Sequence, residues 1–141
     1  MKAAIRYYTR SKKGNTKKIA DFVSEKLNIP PIDVSVDLDK EVEVLFLINA
    51  MYAADVDAQI KDFLARNADK IGCVVNVNSA ASGASTYKAV KRVCDKYGIK
   101  LSESEYHTVA SWIFINKGRP NQADFERLSV FLSQFEVENN G

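Results

Sequence analysis

Apolar positions along the chain fall into short continuous runs that alternate with stretches spaced by three and four. Ala3-Ala4-Ile5 opens the first run. Ile19, Phe22, Val23 and Leu27 then share one face of a helix over 15–27. Pro30-Pro31 closes that unit, and 32–34 reads as a short strand. Val42-Glu43-Val44-Leu45-Phe46-Leu47-Ile48 is nearly continuous in apolar character, as a strand inside a parallel sheet requires. Val56, Ile60, Phe63 and Leu64 predict the second helix, and Ile71-Gly72-Cys73-Val74-Val75-Asn76-Val77 the next buried strand. Val90, Val93, Cys94 and Tyr97 predict a third helix that Gly98 ends. One further strand, with room for an interruption, falls within 99–115. Phe125, Leu128, Leu132 and Phe135 mark a last helix, capped by Asn121 with Asp124 three residues on.

Strands that alternate with helices in this way imply an α/β fold built on a parallel sheet. Two features strain the pattern. Arg6 falls in the first strand, which a sheet covered on both faces would bury unless Arg6 lies near the strand's end. The connection from the second strand to the third is also short. Residues 35–41 offer seven positions, against the dozen or more usual for a parallel crossover. Seven extended residues reach about 23–25 Å. Skipping one strand sideways and returning along a strand of about five residues spans roughly 18–20 Å. A crossover without a helix therefore fits, and it is favoured because the later connections contain helices. A β-hairpin is the competing arrangement.

At 141 residues the chain suits one domain, 1–141, with 136–141 expected to fray. No long apolar run predicts a membrane span and the start lacks a signal-peptide pattern, so a cytoplasmic location is the expectation. Cys73 and Cys94 lie in different elements without metal-binding spacing and read as buried, reduced thiols. With His107 as the only histidine, zinc sites and Ser–His–Asp chemistry are poor fits. No metal ligand and no catalytic side chain is assigned, and nucleic acid is not an expected partner.

The net charge of +2 conceals an uneven distribution. Arg6, Arg10, Lys12, Lys13, Lys17 and Lys18 all precede the first acid, Asp21. A solvated face is the ordinary reading of such a run. Yet Lys17 and Lys18 stand in the first turn of a helix, where each cation is disfavoured by about 0.3–1 kcal/mol. A bound phosphate would reverse that cost. The segment from Tyr8 to Ala20 fits this idea. A strand turns through hydroxyls, a glycine and another hydroxyl into a helix whose first N–H groups point outward unpaired. Gly14 can take the positive φ that a tight loop often needs.

This opening segment resembles the flavodoxin family, whose phosphate loop runs Ser/Thr-x-Thr-Gly-x-Thr. A subset of short flavodoxin-like proteins reads Tyr-Ser/Thr-Arg-Ser/Thr-Gly-Asn-Thr there. Tyr8, Thr9, Arg10, Ser11, Gly14, Asn15 and Thr16 match it, with Lys12 and Lys13 inserted before the glycine. An ungapped alignment, with Ser11 first and Lys13 in a hydroxyl position, matches fewer residues. The resemblance implies a three-layer, doubly wound, five-stranded parallel sheet of order 2-1-3-4-5. The helix between strands 2 and 3 would be short or absent, and FMN would bind at the carboxyl ends of the strands. Thr9, Ser11, Asn15 and Thr16 would contact the phosphate, with Arg10, Lys12, Lys13 and Gly14 in the same loop. The two inserted lysines either lift the hydroxyls out of register or wrap the phosphate.

Two more loops fall where the family places its flavin contacts. After the third strand come Asn49, Ala50, Met51 and Tyr52, and Tyr52 would stack on or edge the isoalloxazine. A loop tyrosine packing on its own domain is the alternative. After the fourth strand come Asn78, Ser79, Ala80, Ala81 and Gly83, small residues that would let the backbone approach a flat ring. Lys117-Gly118-Arg119-Pro120-Asn121 resembles a Gly-Arg-Pro-Asn segment of the short members. Trp112 is expected to cover the sheet edge, His107 to be an ordinary strand-end residue, and Tyr7 and Tyr8 to pack under the first helix. The implied function is noncovalent FMN binding and electron transfer, as a monomer or homodimer, with a redox partner protein or a small-molecule acceptor. An FMN-dependent small-molecule or quinone reductase is one alternative. A flavodoxin-fold binding module that has lost FMN is another. Carriers of this family are typically acidic around the flavin, and this mildly basic chain departs from them.

Overall fold

The computed structural model describes residues 1–10, 14–111 and 116–137. Its strands are β1 (Ala3–Tyr7), β2 (Pro31–Asp33), β3 (Val44–Ala50), β4 (Val74–Ala80) and β5 (Tyr106–Val109). They form one parallel sheet in the order β2-β1-β3-β4-β5. The helices are α1 (Asn15–Leu27), α2 (Ala58–Asn67), α3 (Tyr87–Tyr97) and α4 (Gln122–Leu132). Alternation along the strands divides the core. Ile5, Phe46, Ile48, Val75 and Val77 meet Ile19, Val23 and Leu128 of α1 and α4. Ala4, Leu45, Leu47 and Val74 meet Phe63, Leu64, Val90 and Cys94 of α2 and α3. Tyr7 lies on the α1 side as expected, but Tyr8, one residue on, packs with the α2–α3 cluster.

Helix limits follow the sequence closely. α1 buries Ile19, Ala20, Val23 and Leu27, and Asn28 ends it in the left-handed region at φ 56°. Gly98, at φ 70°, ends α3, whose Tyr97 is exposed rather than buried. Strand limits differ more. β3 starts two residues later than the apolar run and continues to Ala50, and β4 starts three later and continues to Ala80. Val42 and Ile71, the heads of those runs, make only an isolated bridge to each other. The last predicted strand is interrupted. Leu101 bridges Val74, and β5 proper begins at Tyr106. Beyond α4, Phe135 sets its ring edge-on to Phe46 at 5.2 Å and Val137 packs on the same cluster. Residues 138–141, expected to fray, lie outside the described residues.

The connection from β2 to β3 is a crossover without a helix, since β3 pairs in parallel with β1 and β2 lies on the far side. Its backbone would lack partners without help from side chains, and Arg6 supplies much of that help. Arg6 is 4% exposed. Its Nε donates to Val36 O at 2.9 Å and its Nη2 to Asp37 O at 3.1 Å. Arg66 of α2 donates to Val34 O at 3.0 Å, Lys70 to Leu38 O at 2.9 Å, and the Leu38 N–H donates to Asn67 Oδ1 at 2.9 Å. Val34 and Leu38 can then bury their side chains where a helix would otherwise sit. Among the described residues no helix is long and apolar enough to cross a membrane.

Candidate functional site

Because all five strands run the same way, the loops that follow them gather at one edge of the sheet. From β1 the chain passes to β2 on one side, and β3 lies on the other. The crevice at this reversal, between β1 and β3, is where α/β sheets of this kind receive ligands. α1 begins there. Its N-cap, Gly14, has φ −74° and ψ 166°, an extended conformation open to any residue, so the positive φ available to glycine is not used. Gly14 offers no side chain to cap this end, and the first turn holds no acid. Thr16, in that first turn, is 3% exposed. Asn15 ties the helix start to the loop after β5, its Nδ2 donating to Ser111 O at 3.2 Å and Ser111 Oγ at 3.0 Å. Lys17 pairs with Asp21 one turn on, while Lys18 is exposed. Ser11, Lys12 and Lys13 of the predicted phosphate loop lie outside the described residues, as does Trp112.

The loop after β3 is a tight turn. The Tyr52 N–H donates to Asp55 O at 2.8 Å and the Asp55 N–H to Tyr52 O at 2.9 Å. Ala53 and Ala54 between them have φ 50° and 61°. Two consecutive left-handed alanines cost about 1–2 kcal/mol each, in a turn type that favours Asn-Gly. The turn persists because both ends are fastened. Met51 N–H donates to Ser79 O at 3.1 Å, and Asp55 takes a 2.7 Å bond from Lys61 that holds its carboxyl below the ordinary range. Tyr52 does not face the crevice alone. Arg10, from the loop after β1, lies over its ring and reaches Asp57, the N-cap of α2.

The first residues of both loops expected after the third and fourth strands belong to the strands themselves. Asn49 and Ala50 end β3, and Asn78, Ser79 and Ala80 end β4. Asn49, Asn78 and Ser79 are buried polar residues, and the two asparagine amides are tolerated in a sheet because they are matched. Asn49 Nδ2 donates to Asn76 Oδ1 at 2.7 Å, Asn76 Nδ2 to Thr86 Oγ1 at 3.0 Å, and Thr86 Oγ1 to Asn49 Oδ1 at 2.7 Å. Asn78 joins this ring to the loop above it, accepting the Thr86 N–H at 3.0 Å and donating to Ala84 O at 3.0 Å. The segment 81–86 is thereby clamped from below. It is also held from the side. Ala81 O accepts Asn116 Nδ2 at 2.6 Å, and His107 Nδ1 lies 2.7 Å from Gly83 O. Gly83 has φ 76°, and a Cβ there would stand 3.0 Å from Val109 Cγ2, so the turn requires glycine. Sequence reasoning did not single out Asn76, Thr86, Asp57 or Ser111. Ser111 meets Asn15 and Asp57 meets Arg10 across long stretches of chain, whereas the N-cap bond of Asp57 to Gln59 is a local signal that could have found it.

The segment 117–121 serves the start of α4. Asn121 and Asp124 form the predicted capping box, each accepting the other's N–H, at 3.1 and 2.8 Å. Arg119 grips the same carboxylate at 2.6 and 2.7 Å, and Arg127 also pairs with it. Asp124 is 1% exposed, and its pKa falls from 3.8 to about 2, chiefly through the Arg119 bond. A carboxyl whose pKa is lower in the folded state stabilises that state above its unfolded pKa. It loses that contribution as pH falls from about 4 toward 2. With both arginines partly in water, the contribution is about 1–2 kcal/mol. Asp124→Asn should therefore lower stability by that amount at pH 7 and flatten the acid limb of a urea-denaturation series between pH 4 and 2.

No protein-family model matches the chain, and no curated protein sequence does. Solved structures do match it. A flavodoxin from the domain Archaea aligns over 93% of both chains with a TM-score of 0.70 at 15% identity. A Streptococcus pneumonia TIGR4 flavodoxin aligns over 93% of this chain and 94% of its own, with a TM-score of 0.63 at 20% identity. Rubredoxin oxygen:oxidoreductase from Desulfovibrio gigas matches 93% of this chain with only 34% of its own length, with a TM-score of 0.61 at 13% identity. The chain has the flavodoxin-like fold, with the sheet order and the helix-free second crossover that the sequence predicted.

Proposed function

We propose that this chain binds FMN noncovalently at the β1/β3 crevice and passes electrons to a redox partner protein or a small-molecule acceptor. The observation that carries the reading is the start of α1. A helix start with a glycine N-cap, no acid in its first turn and the buried Thr16 beside it stands at the switch point of a flavodoxin-like sheet. Thr9, Asn15, Thr16 and the first N–H groups of α1 would hold the phosphate, and Ser11, Lys12 and Lys13 continue the same loop in sequence. Met51, Tyr52 and the clamped segment 81–83 would flank the ring. When bound, the isoalloxazine supplies the redox chemistry. The chain's own residues orient it, shield it and set the charge around it. Arg10 is a cation beside the site, which suits a partner with an acidic face. Cys94 is buried and its thiol is pushed up to about 11 by burial, which suits a reduced thiol in the cytoplasm.

Quenching of flavin fluorescence on titration with the protein tests the reading. FMN should bind one to one. Thr16→Val, which keeps the shape and removes the hydroxyl, should weaken FMN more than tenfold, the ordinary worth of a hydrogen bond to a charged group. A folded protein that quenches neither FMN nor riboflavin would sink the proposal and leave a binding module without flavin. NAD(P)H oxidation by the loaded protein with an acceptor present would favour the reductase reading.

A further inference from the structure

Arg10 leaves the end of β1 and reaches across the crevice to the loop after β3. Its guanidinium carbon lies 3.7 Å from the centroid of the Tyr52 ring, and its Nε donates to Asp57 Oδ2 at 2.9 Å. Asp57 is fixed independently. Its other oxygen accepts the Gln59 N–H at 2.9 Å as the cap of α2. A guanidinium is planar, so it covers a face of the phenol ring as a second flat ring would. The hold is modest, because the Arg10 side chain is 57% exposed.

We infer that Arg10 determines specificity at this site by occupying the stacking face of Tyr52 until a phosphate draws it away. The inference rests on the FMN reading. Arg10 stands four residues before the N-cap of α1, so it shares a loop with the proposed phosphate site. A phosphate there offers a guanidinium a bidentate, doubly charged partner. Asp57 offers one oxygen, since the other caps α2. An aromatic ligand with a phosphate thus uncovers Tyr52 and keeps Arg10 satisfied. A ligand without phosphate must displace Arg10 and leave it with water. Only the fraction of protein with Tyr52 uncovered is competent for such a ligand, and its apparent affinity falls by that fraction.

Titrations of FMN and riboflavin into wild type, Arg10→Gln, Asp57→Asn and Tyr52→Leu test this, with circular dichroism confirming the fold of each. Arg10→Gln should tighten riboflavin about three- to tenfold, the combined worth of a cation–π contact and a half-exposed ion pair. It should leave FMN unchanged or weaker, so that the preference for the phosphorylated flavin shrinks. Asp57→Asn keeps a good N-cap and loosens the tether, and should tighten riboflavin by a smaller factor. In a Tyr52→Leu background the Arg10→Gln effect should vanish. Riboflavin binding that is unchanged or weaker in Arg10→Gln, in a protein that binds FMN, overturns the inference alone. A gain that persists without Tyr52 also overturns it. Wild type that binds neither flavin overturns the FMN reading and this inference with it.

Discussion

Asn49→Ala should destabilise the protein by about 3 kcal/mol, the cost of leaving two buried polar groups without partners. At this chain length that lowers the melting temperature by roughly 6–12 °C. The loss is large because the Asn49–Asn76–Thr86 ring is closed. Removing the Asn49 amide strands Asn76 Oδ1 and takes from Thr86 the acceptor of its hydroxyl. Both survivors are at most 1% exposed, so water does not replace the lost bonds. Thr86→Val should cost a similar amount, stranding Asn76 Nδ2 and Asn49 Oδ1. Thr86→Ser keeps the hydroxyl and should cost under about 1 kcal/mol. The double variant Asn49→Ala/Thr86→Val should cost less than the two singles added, by at least about 1 kcal/mol, because each single already breaks the bond they share. Additive losses would mean that the three side chains act separately. The same ring holds the loop 81–86 by way of Thr86 and Asn78, so Asn49→Ala should also weaken the proposed flavin binding, although Asn49 sits below the crevice.

How much was legible in the sequence divides along a physical line. Periodicity located α1 to the residue, and Asn121 with Asp124 announced a capping box that forms as read. Both are local signals, carried within one or two turns of chain. Chain reach was enough to expect a helix-free crossover after β2. The end of β4 was misplaced because Asn78 and Ser79 look like loop residues. Their strand conformation depends on Thr86 and on Ser79's backbone partner Met51, none of them adjacent in sequence. Gly14, free to adopt a positive φ, is extended instead, as its place just before a helix calls for. At the site, the hydroxyl at Thr16 and the aromatic at Tyr52 could be picked out by type and position. The stack of Arg10 on Tyr52 could not, because it joins two loops whose approach only the sheet order dictates.

Arg6→Ala should destabilise the protein by about 2–4 kcal/mol and loosen the crossover 34–43 before the rest of the sheet. Arg6 is a buried cation with no carboxylate in ion-pair range among the described residues. Its guanidinium pKa is lowered by burial, with Asp39 and Asp37 opposing that shift from a distance. Its bonds go instead to the carbonyls of Ile5, Val36 and Asp37, and its guanidinium lies 5.9 Å from the Phe63 ring centroid. Alanine removes those bonds and leaves a void between β1 and the crossover. Arg6→Met separates the two losses. Methionine restores most of the volume and removes the cost of burying a charge, so it should recover about half of the stability lost in alanine. It cannot donate to the carbonyls of Val36 and Asp37. Amide exchange within 34–43 should therefore rise in both variants, while amides of β3 and β4 exchange faster only in proportion to the global loss. If methionine returned protection of the crossover to the wild-type level, packing alone would hold this segment. The arginine would then be a tolerated charge, not the clamp that replaces a helix.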